Sequence, residues 1–392
     1  GAAFSLFADA PAEIRAPFFI GTTLSDNPLA DHFRALAHEL ITRGHQVVLL
    51  TPHRKTELEC HSGNPAVYTW PSERPTRLRD AVFLRTLIDR YRPQCMIANF
   101  SAVNMMTVVG WAKRVPCRIV FYRTLISQLA MDSTAARWSR TPKWLRKRLV
   151  YRLATHIATN SAASAADIQR AYHVPKIKCS VFRNSLPDPT PALSVDHYQP
   201  ATNHILCVGR CYPSKGQDVA IRALAQINQA GFATTIDFIG DGPARSDYEE
   251  LARELNMTSN CRFLGRLPHK EVVKRMAAAT ATLVPSRTEA FGMVTVESIA
   301  VGTPVVASAV GGIVEIIRDG IEGFLVPPED PSALADRLLL LLTSRPLRAR
   351  LGAAARDRFL GNFEQKLVVR EQVDSLHRIL SMDARPIQSG GL

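Results

Sequence analysis

Short apolar runs of the kind that fill strands buried on both faces recur through this chain, and each is followed by a helix-length amphipathic segment. Val47 to Leu50 and Val305 to Ala307 are examples. A strand apolar on both sides needs helices above and below it, so the alternation implies parallel sheets covered on both faces, an α/β architecture. In the first half, strands are expected at 17–21, 46–51, 95–99, 118–122, 156–159 and 178–182, with helices near 29–43, 78–91, 103–114 and 164–172. The second half reads as six strand–helix units, with strands at 204–209, 234–239, 261–264, 281–285, 304–308 and 322–326. Their helices fall at about 215–230, 243–256, 269–279, 294–301, 313–318 and 331–343, and a helical tail follows from 345. Residues 185–203 hold three prolines in quick succession and no apolar period, which marks a linker. At about 150 residues per domain, a chain of 392 residues makes two or three. The expected architecture is two doubly wound domains, 1–190 and 200–364, facing across a cleft. Ligands of such sheets bind beyond the carboxyl ends of the strands, so the chemistry belongs on loops that follow strands.

Composition narrows the class. Hydrophobic residues make up 46% and charged residues 21%, which excludes a mostly disordered chain. No apolar run approaches the ~20 residues that span a bilayer. The N-terminal residues carry Asp9 and Glu13 without a basic-then-apolar pattern, so no secretory signal is expected. Seven scattered cysteines without a C-x-x-C pair argue against a disulfide framework or a zinc site and for a reducing cytoplasm.

The formal charge is +13, and it is lopsided. Residues 1–190 carry 26 Lys+Arg against 13 Asp+Glu, whereas residues 191–392 carry 22 of each. An asymmetry of that size points to an anionic partner. The densest patch, 137–152, holds seven basic residues, and no acid occurs between Asp132 and Asp167. Thr141 and Pro142 read as an N-cap and first helical position. Leu145, Leu149 and Leu153 then form a stripe with Trp144 and Tyr151 beside it, and Arg137, Lys143, Arg146, Lys147 and Arg148 supply the charge. Such a helix suits the headgroup region of an anionic membrane. The plainer alternative is a surface helix packed into its own domain.

Several familiar nucleotide motifs are excluded. Gly240-Asp-Gly-Pro243 lacks the third glycine of a dinucleotide fingerprint, and neither a P-loop nor a G-x-S-x-G elbow occurs. What remains is sharper. Gly209-Arg210 ends the first strand of the second half, and Lys215-Gly216 opens the next helix, so two cations converge where a diphosphate could sit. In the run from Pro285 to Glu297, a strand leads through Glu289, Phe291 and Gly292 into a helix. The free N–H groups at Met293 and Val294 would point at an anion, and Glu289 and Glu297 are good acceptors for sugar hydroxyls. A second glycine-rich turn, Gly311-Gly312, is expected at the same cleft edge.

Together, Gly209-Arg210 with Lys215-Gly216, Ile239-Gly-Asp-Gly-Pro243, Phe263-Leu-Gly265, Pro285-Ser286, the Glu289-x7-Glu297 pair, Gly302-Thr-Pro-Val-Val, Gly311-Gly312 and Gly323-Phe-Leu-Val resemble the nucleotide-binding half of retaining GT-B glycosyltransferases of family 4. The first half resembles the family more loosely, at Gly44-His45-Gln-Val-Val, Ala158-Thr-Asn-Ser161 and Phe182-Arg-Asn184, and Phe363-Glu364 resembles the start of its final helices. The resemblance implies two Rossmann-like domains, with a C-terminal helix, about 365–392, crossing back to the first. It also implies a metal-independent hexosyltransferase-type enzyme without a cofactor, moving a sugar from a UDP- or GDP-sugar to an acceptor hydroxyl with retention. Arg210 and Lys215 would hold the diphosphate, Glu297 the ribose and Glu289 the donor sugar. The amides of Phe291, Gly292 and Met293 would hold sugar and phosphate, Gly265 to Leu267 would lie near the base, and Gly21 would face the phosphates from the other domain.

Two departures concern the acceptor side. A single Gly21 stands where many relatives carry Gly-Gly, and Tyr122, with Arg123 beside it, stands where many carry His. Arg123 could bind an acidic acceptor or simply close a strand end. The expected partners are a nucleotide sugar, a lipid-linked or anionic glycan acceptor in polysaccharide or glycolipid biosynthesis, and the inner face of the cell membrane, with no nucleic acid. The alternatives are a soluble small-molecule transferase, a nucleotide-sugar-binding protein and an epimerase of the same fold.

Overall fold

The computed structural model describes residues 17–23, 28–52, 65–132, 140–192 and 203–383. The first sheet is built from β1 (Pro17–Gly21), β2 (Gln46–Thr51), β3 (Ala66–Thr69), β4 (Cys95–Ala98), β5 (Cys117–Tyr122), β6 (His156–Thr159) and β7 (Cys179–Val181). All are parallel, in the order β3-β2-β1-β4-β5-β6-β7. One face is covered by α1 (Pro28–Thr42), the other by α2 (Leu78–Tyr91), α3 (Val103–Ala112), α5 (Arg140–Leu153) and α6 (Ala162–Tyr172), while α4 (Ile126–Asp132) lies between β5 and α5. Helix α1 buries Phe33, Leu36, Ala37 and Leu40, the i, i+3, i+4, i+7 spacing of one helical face.

The second sheet has six parallel strands in the order β10-β9-β8-β11-β12-β13: β8 (His204–Val208), β9 (Thr235–Ile239), β10 (Cys261–Gly265), β11 (Ala281–Val284), β12 (Val305–Ser308) and β13 (Gly323–Val326). Around it lie α7 (Gln217–Gln229), α8 (Arg245–Glu254), α9 (His269–Ala278), α10 (Met293–Ala300), α11 (Ile313–Ile316), α12 (Pro331–Thr343) and α13 (Arg345–Asn362). Each of the six expected strands of this half is present. Both sheets reverse direction of growth once, between β1 and β4 and between β8 and β11.

The tail is two helices. After α13 the chain turns at Phe363, and α14 (Gln365–Asp383) packs against α1. Val369, Val373, Leu376 and Leu380 enter the core of the first sheet beside Phe18 and Phe33. Each large side chain so buried contributes about 1.5–3 kcal/mol, enough to hold the last helix on the first domain.

Four sequence expectations are revised. Strand β3 and helix α4 were not foreseen; β3 has four half-buried residues and no long apolar run. The start of the proline-rich segment is no free linker: Leu186 is buried and bridges to Glu364, and Asp188 pairs with Arg356. Residues 193–202 lie outside the described residues. Helix α5 begins at Arg140, so Thr141 is inside it and not its cap. The helix is also turned differently from the stripe expected of it. Trp144 is packed inward, donating from Nε1 to the Ala171 carbonyl at 2.8 Å and stacking on Tyr172. Val150 and Tyr151 are buried, whereas Leu145 and Leu149 are 61% and 54% exposed. Arg137 and the Lys143 side chain lie outside the described residues. No helix among the described residues is long and apolar enough to cross a membrane.

Candidate functional site

Strands β8 and β11 are spatial neighbours separated by two strand–helix units in sequence, so the loops leaving them diverge and open a crevice. A cavity of about 200 Å³ lies there. Its walls are Gly209 and Lys215 after β8, Pro285, Ser286 and Glu289 to Met293 after β11, and Arg123, Asn160 and Asn184 from the first domain. Lys215 ends a single tight turn, Pro213–Lys215, and Gly216 follows with φ +66°. That turn aims the Lys215 ammonium across the cavity at Glu289, with Nζ 2.5 Å from Oε2. The two side chains keep only 17% and 13% of their exposure.

The loop that carries Glu289 is held from three sides. Beneath it, the Gly312 N–H donates to the Glu289 carbonyl at 3.1 Å. From the first domain, the Ser161 and Ser164 hydroxyls both donate to the Ala290 carbonyl, at 2.6 and 3.2 Å. On the core side, Phe291 is buried, with its ring against Phe363, and the residue also lines the cavity. Gly292 then starts α10 with φ +106°, a conformation that L side chains rarely adopt. Met293 and Val294 both line the cavity. Their amides lie within the first turn, where N–H groups have no intrahelical acceptor, so this helix end favours an anion.

Further contacts close the cleft around the site. Asp132 accepts from the Ser214 amide and hydroxyl, beside Lys215, at 3.2 and 2.8 Å. Ser127 and Thr288 share a hydrogen bond of 2.8 Å. The Glu315 carboxylate accepts from the Ala162 and Ala163 amides at 3.0 and 3.1 Å, capping α6 from the other domain. An anionic cap at a helix N-terminus is favourable in charge as well as geometry.

The structure gathers Gly209, Lys215, Glu289, Phe291, Gly292, Met293 and Arg123 around one cavity. It places the other expected residues elsewhere. Arg210 is exposed and stacks on Tyr212, 4.7 Å from the ring centre, and it does not line the cavity. Glu297 lies one turn into α10, nearly buried, with Oε1 3.2 Å from His269 Nε2. That contact raises the His269 pKa, the hydrogen bond from Glu297 being the main cause and Asp31 across the cleft a lesser one. Gly265 ends β10, and Leu267 stands two residues before His269. Gly21 packs on α3, where an added Cβ would lie 2.4 Å from Met106 Sδ, and it lines neither cavity of the cleft. The Tyr122 hydroxyl is engaged by Asp167, which also accepts from the Ile126 amide at 3.1 Å. Burial and Asp167 both push the Tyr122 pKa upward.

His269 and Glu315 escaped the sequence reading, and Asn160 and Asn184 stood in segments that resemble the family but were given no role. No motif marks His269 or Glu315: His269 meets Glu297 28 residues away, and Glu315 meets backbone amides 152 and 153 residues away. Among the described residues, no group of three or more His, Cys, Asp or Glu could hold a metal ion.

Comparison with known proteins agrees with this architecture. The family described as Glycosyl transferases group 1 matches residues 198–358, and Glycosyltransferase Family 4 matches residues 29–187. A protein of Corynebacterium efficiens named D-inositol 3-phosphate glycosyltransferase is 30% identical over 274 residues, 63% of each chain. One of the same name from Frankia alni is 38% identical over 167 residues, 40% of this chain and 41% of that one. The chain thus spans less than two thirds of these relatives' own length. Among solved structures, Anabaena HepE in complex with UDP superposes with a TM-score of 0.74 over 93% of this chain and 100% of the other, at 19% identity, a likeness of fold. With both halves matched in order, and with the two parallel sheets facing across the cavity, the chain belongs to the GT-B glycosyltransferases of family 4.

Proposed function

We propose that the protein transfers a sugar, with retention, from a nucleoside-diphosphate sugar to an acceptor hydroxyl. The observation that carries this is the Lys215–Glu289 pair in the cavity, set against the N-terminus of α10. The costly event in such a transfer is departure of an anionic diphosphate from a sugar that gains oxocarbenium character. Lys215 and the amides of Met293 and Val294 are placed to stabilise that leaving charge, and one such donor is worth about 3 kcal/mol. With donor bound, Lys215 turns to the diphosphate and Glu289 accepts from sugar hydroxyls. Glu297 accepts from the ribose beside His269, whose pKa the Glu297 contact raises. Fixed cations and helix dipoles supply the electrostatic role without a divalent metal. The leaving phosphate oxygen takes the acceptor proton on the face it departs from, and the interdomain contacts exclude water. UDP is the favoured carrier, because the fold neighbour HepE binds UDP and also UDP-glucose.

The test is incubation with labelled UDP-glucose and with a GDP-hexose, following transfer and slow release to water. A nucleotide that binds raises apparent stability, by about 2.7 kcal/mol at a hundred times its Kd. Glu289→Gln should lower sugar transfer by tenfold or more while changing UDP affinity less than threefold. Equal losses in both would restrict Glu289 to binding. Sugar-nucleotide turnover without any acceptor, giving an altered sugar still on its nucleotide, would favour an epimerase.

We also propose that α5 lies against an anionic membrane, on the inner face in a cytoplasmic setting. Leu145 and Leu149 are exposed beside Arg146 and Arg148, and Val108 and Trp111 of α3, which packs on α5, are exposed as well. Apolar side chains flanked by cations match an anionic headgroup layer. Leu145→Asp with Leu149→Asp should abolish flotation with phosphatidylglycerol vesicles at low salt and leave UDP binding intact. Flotation equal to the unaltered protein would remove the membrane from the proposal.

A further inference from the structure

A second cavity, of about 440 Å³, opens at the carboxyl ends of β4 and β5 between the start of α3 and the inner side of α5. Arg123 and Leu29 border both this cavity and the one that holds Lys215 and Glu289, so the two adjoin. Among the described residues, no Asp or Glu lines the second cavity.

Its nitrogen donors are left over. Arg123 gives one hydrogen bond, from Nη1 to Asn184, while its Nε and Nη2 are buried with no partner among the described residues. Its guanidinium lies over the rings of Phe121 and Phe33, 4.5 and 5.2 Å from their centres, rather than against a carboxylate. Burial pulls its pKa down to about 9, which leaves it charged at neutral pH. Asn99 is buried, and its Nδ2 is likewise unpartnered. Lys147, one helical turn before Tyr151, lines the same cavity without a hydrogen bond or ion pair among the described residues. Burial and then Arg146 lower its pKa.

Two cations and an amide, partly stripped of water and facing no carboxylate, are costly unless an anion joins them. The beginning of α3 adds a favourable dipole at the same place. We propose that this cavity binds a phosphoryl group of the acceptor, held by Arg123, Lys147 and Asn99. That the anion belongs to an acceptor rests on the glycosyltransferase reading; that the cavity binds a phosphoryl group does not. An anion held at Arg123 stands beside the donor cavity, so the rest of the acceptor can place a hydroxyl there. A soluble sugar or polyol phosphate and a phospholipid headgroup offer the same chemistry.

The experiment measures binding of inorganic phosphate and of glycerol 3-phosphate to the full chain saturated with UDP, against chloride at equal ionic strength. UDP fills the donor cavity, so an added phosphate reports on the second one. Both probes should bind, and Lys147→Ala, which does not touch the donor cavity, should weaken them at least tenfold with UDP affinity unchanged; Arg123→Gln should weaken them as well. Absence of binding to the UDP-saturated protein, or equal binding by Lys147→Ala, overturns the proposal and leaves the donor reading intact. Failure of any nucleoside diphosphate to bind would instead overturn the donor reading. Competition by vesicles of equal parts phosphatidylcholine and phosphatidylglycerol, lost in Lys147→Ala, assigns the phosphoryl group to a lipid; competition by glycerol 3-phosphate alone assigns it to a soluble acceptor.

Discussion

Lys215→Ala should lower kcat/KM for sugar transfer about a hundredfold. A charge-assisted hydrogen bond contributes about 1.5–3 kcal/mol, which alone spans roughly tenfold to 150-fold. The upper end applies because Lys215 is largely buried and has two tasks in the proposed mechanism. It would meet the leaving diphosphate, and without donor it balances Glu289, 2.5 Å away. Its removal leaves the Glu289 charge uncompensated where another anion must bind. Arg210→Ala should do less, because Arg210 is exposed, stacks on Tyr212 and does not border the cavity. A merely structural pair makes a different forecast: Lys215→Ala with Glu289→Gln would then recover most of the activity lost by Lys215→Ala alone. In the proposed mechanism the double variant is no better than the single one. Transfer by Lys215→Ala within threefold of the unaltered protein would end the assignment.

The difference between Lys215 and Arg210 shows how far sequence reaches here. Both precede a helix after the same strand, and spacing alone treats them as a pair. The backbone separates them: the Pro213–Lys215 turn swings Lys215 inward, while Arg210 remains outside on Tyr212. The strands of the second half were readable because the central ones, such as β11 and β12, are buried on both faces and each is followed by a helix-length segment, a pattern that local sequence carries by itself. Strand β3 was not readable, since four half-buried residues give no such pattern.

Helix α5 was readable as a helix but not in its orientation. Leu145 and Leu149 form one apolar stripe, and Trp144, Val150 and Tyr151 form another. Only the neighbours, chiefly Tyr172 and the Ala171 carbonyl, decide which one is buried. That choice also determines that Lys147 borders a cavity instead of open solvent. The contacts across the cleft were the least legible. Ser161 and Ser164 read a carbonyl, and Glu315 reads two amides, none of which depends on the partner's side chain.

Gly311→Ala should reduce transfer about a hundredfold although Gly311 lines neither cavity of the cleft. Gly311 has φ +51°, and a Cβ there would lie 1.7 Å from the Glu289 carbonyl oxygen and 2.9 Å from its carbon. Relief needs a displacement of more than an ångström by Glu289, by the Gly311 turn, or by both. The Glu289 loop cannot move outward freely, because Ala290 is held by Ser161 and Ser164 and Phe291 is anchored on Phe363. Misplacement of a positioning group by about 1 Å costs on the order of a hundredfold in rate. The strained backbone adds a stability loss of about 1–3 kcal/mol, which by itself would leave most of the protein folded at room temperature. Gly320→Ala separates the two effects. Gly320 has φ +73° and nothing within 4 Å of its added Cβ, so that variant bears the backbone strain without the collision. It should lose stability and keep its rate per folded molecule. Gly311→Ala should lose both, with UDP affinity falling less than turnover, because the α10 amides proposed to bind phosphate lie beyond the Phe291 anchor. If the two variants turn over alike once corrected for folded fraction, the position of Glu289 does not govern the reaction.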